Sequence, residues 1–107
     1  MTTTKATYRP AAPASESLPA GLTAYKRTPV FDSEALPPAL RQEHSTKPGV
    51  WGVIHVLEGR LAYTTFEPQT EQILAPDAPG VVRPKQVHRV EPLGHTRFFV
   101  EFYRVET

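Results

Sequence analysis

Twelve prolines, spaced along a chain of 107 residues, constrain this sequence more than any other feature. Proline fixes φ and removes a backbone donor, so helix interiors do not accept it. After residue 17 the prolines leave no uninterrupted amphipathic stretch of three helical turns. Only Asp32-Ser33-Glu34-Ala35-Leu36 can start a helix, with Asp32 or Ser33 as its cap, and Pro37-Pro38 is expected to stop it after about one turn.

What remains reads as strands. Residues 50–57, VWGVIHVL, are rich in β-branched and aromatic side chains. Glu58-Gly59 is expected to make a two-residue hairpin turn into a strand at 60–66, with Gly59 supplying the positive φ. Further strands are expected at 23–27, 40–44, 71–74, 81–83, 87–91 and 96–105, with turn chemistry in Pro76-Asp77-Ala78-Pro79-Gly80. About eight short strands at close spacing indicate an all-β sandwich or barrel. A cupin-type jelly roll and an immunoglobulin-like sandwich both satisfy this pattern, and periodicity alone does not choose between them.

The chain length suits one domain. Residues 1–17, MTTTKATYRPAAPASES, have no hydrophobic period and are expected to form a disordered tail, leaving 18–107 as the single domain. With 12 basic and 11 acidic residues the formal charge is +1, and no basic block marks a nucleic-acid or anionic-membrane footprint. No apolar run suits a signal peptide or a bilayer span, so a cytoplasmic location is expected. There is no cysteine, which excludes disulfides, thiolate metal sites and cysteine nucleophiles. The serines lie in tail or turn segments without a nucleophile-elbow setting, and no glycine-rich phosphate loop is present.

Any metal must therefore sit on His, Asp or Glu. Of four histidines, His95 follows Gly94 in a loop and reads as a surface residue; His55 shares a strand face with Trp51, Val53 and Leu57 and reads as a partly exposed sheet residue. His44 and His88 differ in context, each beside a turn and a strand end. Two imidazoles suit zinc, iron or nickel but need a further ligand. Glu101, in the otherwise apolar Phe99-Val100-Glu101-Phe102, is the candidate; a solvated face or an ion pair with Arg97 or Arg104 is its alternative role. Glu91 lies three residues after His88, on the opposite face of a regular strand.

The segments His44-Ser45-Thr46-Lys47-Pro48-Gly49-Val50-Trp51-Gly52, Val56-Leu57-Glu58-Gly59-Arg60-Leu61 and Pro84-Lys85-Gln86-Val87-His88-Arg89-Val90-Glu91, in that order, resemble the cupin-like N-terminal domain of the TehB tellurite-resistance methyltransferases and their stand-alone YeaR-like relatives. The resemblance runs from about Leu22 to Tyr103. It implies a cupin-type double-stranded β-helix in which His44 and His88 are the two motif histidines. The sequence departs from the general cupin pattern, with Thr46 in place of a second histidine and Gly52 near the expected Glu. Methyl transfer is not expected, because the resemblance stops short of the methyltransferase half.

The resulting expectation is a metal-binding module, holding zinc before iron, nickel or manganese on His44, His88 and Glu101, with Thr46, Trp51 and Arg89 lining the site. It would act on a small molecule or oxyanion, as in tellurite or a related stress. The competing expectation is a non-catalytic small-molecule-sensing or interaction module. A homodimer is expected in either case, because a second copy readily covers an exposed sheet edge. The third ligand separates the two readings. A carboxylate aimed at both imidazoles favours metal chemistry; an apolar pocket with backbone-bonded histidines favours ligand binding.

Overall fold

A computed structural model describes residues 18–105; the expected tail at 1–17 lies outside the described residues. In chain order it contains β1 (Leu22–Arg27), β2 (Phe31–Asp32), a 3-10 turn (Ser33–Ala35), the helical turn α1 (Pro38–Arg41), β3 (Trp51–Glu58), β4 (Leu61–Thr65), β5 (Thr70–Leu74), β6 (Gly80–Val82), β7 (His88–Pro92) and β8 (Arg97–Val105). The strands form two antiparallel sheets. One has the order β1-β8-β3-β6 with β2 also paired to β8, and the other has the order β5-β4-β7.

Alternation along the strands brings the sheets together. Ile54 and Val56 of β3, Val82 of β6 and Phe98 of β8 meet Leu61 and Tyr63 of β4, Leu74 of β5 and Val90 of β7 in one buried cluster. The Tyr63 hydroxyl donates to the Val81 carbonyl at 2.8 Å, bonding one sheet to the other at its buried end. Burial pushes the Tyr63 hydroxyl far above its ordinary pKa, so it remains a donor. At the cap, the Asp32 carboxylate accepts from the Glu34 N–H at 2.9 Å, as expected for the start of the short turn.

Three expectations are corrected. Residues 40–44 do not form a strand; Pro38 opens α1, where its missing N–H costs nothing, and the chain is extended again only near His44. Glu58-Gly59 is not a hairpin turn, since β3 and β4 belong to different sheets. Both edges of β3 are occupied, by β8 and β6, so β4 has no edge to pair with. Gly59 does adopt positive φ, and there a Cβ would collide with the His95 carbonyl oxygen. Finally, the ladders of the described residues form two sheets that do not join into a closed barrel.

Candidate functional site

His44 and His88 come together through their backbones. His44 N–H donates to the His88 carbonyl at 2.9 Å and His88 N–H donates to the His44 carbonyl at 2.8 Å, an isolated antiparallel bridge beside β7. Directly opposed residues in such a bridge project side chains to the same side. The two imidazole centroids are 4.2 Å apart and the rings meet edge to face.

Each ring is oriented the same way. Nδ1 of His44 lies 2.8 Å from the Gln42 carbonyl oxygen, and Nδ1 of His88 lies 2.9 Å from that of Gln86. A carbonyl can only accept, so Nδ1 carries the hydrogen in both rings, and a neutral ring leaves Nε2 as a bare lone pair. His88 is 4% exposed. Burial lowers its pKa to about 4; the Gln86 hydrogen bond opposes this and His44 adds to it, so His88 is neutral at physiological pH.

Both rings line a cavity of about 300 Å³ on the inner face of the larger sheet. Its apolar wall comes from Phe31, Ile54, Val82, Val90, Phe98, Val100 and Phe102. Lys26 and Lys47, both exposed, also line it, and no Asp or Glu does. Sequence reasoning missed these two lysines. Lys26 follows a β-bulge between Ala24 and Lys26 that shifts the register of β1, and no local pattern marks it.

The other candidates go elsewhere. Glu101 sits between Val100 and Phe102, which line the cavity, and so projects to the opposite face of β8. There its Oε2 lies 3.7 Å from Arg27, and its Oε1 accepts from the Tyr103 hydroxyl at 3.0 Å and lies 3.6 Å from His55 Nε2. It does not join His44 and His88. The ion pair foreseen for it forms with Arg27 from β1 rather than with Arg97 or Arg104. Trp51 stands opposite Tyr103 on that same outer face. Arg89 is exposed, its guanidinium 5.8 Å from the Phe66 ring centre, on the far side of β7 from His88.

Thr46 lines the cavity, but its hydroxyl is committed to the backbone. It donates to the Val50 carbonyl at 2.9 Å, approaches the Arg83 carbonyl at 3.3 Å and accepts from the Lys85 N–H at 3.2 Å. Thr46 therefore ties the segment after His44 to the turn before His88 while its side chain lines the cavity.

A resident metal held by three protein groups does not fit this donor set. The cavity offers two imidazole nitrogens, and no cluster of three His, Asp or Glu side chains suited to a metal exists among the described residues.

A TehB-like domain model matches residues 26–100. The chain belongs to the TehB-like family. It is 35% identical over 77 residues to the probable S-adenosyl-L-methionine-dependent methyltransferase TehB of Haemophilus influenzae (strain Rd), covering 67% of this chain and 27% of that protein. The chain thus spans about a quarter of the curated TehB proteins it matches. The crystal structure of H. influenzae TehB superposes with a TM-score of 0.73 at 32% identity, covering 80% of this chain and 32% of that one. A protein from E. coli (strain K12) shares the fold at a TM-score of 0.77 and 19% identity, covering 84% of this chain and 97% of that one. This TehB-like domain has no helix among its described residues long and apolar enough to cross a membrane.

Proposed function

We propose that this TehB-like domain is a small-molecule-binding module whose ligand enters the cavity beside His44 and His88. The observation that carries this reading is a largely apolar cavity lined by two imidazoles whose Nδ1–H groups are already used by backbone carbonyls. Each ring is thereby held with Nε2 available, a small number of placed polar groups in an otherwise apolar pocket. Methyl NMR of Ile54, Val82 and Val100 during titration with phenol tests it. Saturable shifts at these methyls are expected; their absence with millimolar phenol and with each of the ring acids tested below overturns the reading.

A divalent metal is the second reading, favoured by two adjacent imidazoles free to offer Nε2 lone pairs. It would need water for the remaining positions. Metal analysis of untagged protein beside His44→Ala and His88→Ala variants decides between them. No stoichiometric metal is expected in the wild type, and zinc, iron, nickel or manganese lost in both variants would replace the ligand reading.

The two facing sheets, built from strands that pair out of chain order, support a cupin-type double-stranded β-helix as the finer description. Family membership supports a role within a tellurite or related oxyanion response, with methyl transfer left to the part of TehB that this chain does not match. Exposed edge strands β1 and β5 suit pairing with a second copy, which light scattering would register as a homodimer.

A further inference from the structure

The ligand's chemistry can be read from the polar groups that line the cavity, given that the cavity is the binding site as proposed above. We propose that it takes a small ring-sized acid bearing a hydroxyl, with the hydroxyl donating to Nε2 of His44 or of His88 and the acidic group facing Lys26 and Lys47.

The less exposed of these groups are the imidazoles, His88 buried and His44 half-buried. Because Nδ1 donates to Gln42 and Gln86, each neutral ring presents an acceptor and no donor. A carboxylate or another anion placed there would meet two lone pairs, which repel it. A hydroxyl hydrogen satisfies one of them. The low pKa of His88 agrees, because that ring stays an acceptor at neutral pH.

The exposed part of the lining has the opposite character. Lys26 and Lys47 belong to it, and the lining contains no carboxylate to neutralise them. A free ammonium pair at an open rim attracts an acid without requiring its full desolvation. Phe31, Phe98 and Phe102 supply aromatic wall for a flat apolar body. A volume of about 300 Å³ lies at the small end of ligand pockets, which limits that body to about one ring.

Four probes of similar size test the inference on the wild-type chain: 4-hydroxybenzoate, 4-methoxybenzoate, phenol and 4-hydroxybenzylamine. Kd is read from the Val82 and Val100 methyl shifts. 4-Hydroxybenzoate is expected to bind about tenfold or more tightly than 4-methoxybenzoate, which lacks the donor, and than phenol, which lacks the acid. It should also exceed the oppositely charged amine, and its margin over phenol should shrink as salt rises. His44→Asn should remove the preference for hydroxyl over methoxy, and Lys26→Met with Lys47→Met should remove the preference for acid over phenol. Equal affinity across the four probes at the same methyls overturns this inference while leaving the binding reading standing. No shift with any probe overturns both. Tightest binding of the amine reverses the assignment of the rim and refutes the inference.

Discussion

The two faces of β8 hold two histidine environments built from the same residue type and opposite surroundings. On the inner face His88 and His44 sit edge to face, with no carboxylate in the cavity they line. On the outer face His55 stacks on Phe99 at 4.9 Å between centroids, with Glu101 3.6 Å from its Nε2 and Arg27 4.7 Å above the Phe99 ring. The single acid of β8 is on the outer side, where its partners are half exposed and solvent screens their charges. His88 is left neutral in an apolar wall. The difference teaches that one step of strand alternation turned an expected metal triad into two unrelated sites.

The largest test of that division compares neighbours on β8. Phe98, 1% exposed, lies in the shared core, whereas Phe99 lies on the outer face. Phe98→Ala should cost roughly 3–5 kcal/mol. Phe99→Ala should cost about 1–2 kcal/mol through lost stacking and the Arg27 contact. Urea unfolding midpoints of both variants check this, and equal losses would break the inner–outer distinction.

The next effect is pH dependence. His88 titrates near its ordinary value when unfolded and at about 4 when folded. Above pH 6.5 both states leave it neutral and its full contribution is present. As pH falls toward 4 the unfolded chain binds a proton that the folded chain refuses, so stability falls, by on the order of 2–3 kcal/mol. His88→Asn keeps a donor for the Gln86 carbonyl and does not titrate. Its stability should vary less between pH 6.5 and 4 than that of the wild type, measured by denaturant unfolding at each pH. An unchanged slope would place the acid sensitivity elsewhere.

A smaller loss is expected for Thr46→Val. The Lys85 N–H loses its acceptor and the two segments that present the histidines lose their tie, at a cost of about 1–2 kcal/mol. Amide exchange at Lys85 should quicken while exchange in β8 changes little. Glu101→Gln should have the smallest effect, under about 1 kcal/mol, because its ion pair is partly exposed. It should leave phenol binding in the cavity unchanged, and weakened binding would show that the outer cluster reaches the inner site.

Much of the fold was legible locally. Proline spacing excluded long helices, and the observed β1 and β3 to β8 fall within about two residues of their expected bounds. The cap at Asp32 and the positive φ at Gly59 were also local matters of chemistry. The failures came where a neighbour decided. Pro37-Pro38 looked like a stop, yet Pro38 fits the first turn of α1. Glu58-Gly59 looked like a hairpin because nothing nearby shows that β8 and β6 occupy both edges of β3.

The candidate site divides along the same line. The sequence by itself singled out His44 and His88, and they meet because the backbone bridge between them is satisfied on both sides. It also placed Glu101 in an apolar strand with two roles open to it. Which face of β8 looks into the cavity depends on the pairing of β8 with β1, β2 and β3, fixed by contacts from residues far apart in the chain. A period of two offers only two choices. The inner face took Phe98, Val100 and Phe102, and so Trp51 and Glu101, the expected third ligand, were turned away from the histidines. Local chemistry determined the strands and the imidazole pair; burial of the better apolar face decided what kind of pocket the pair would serve.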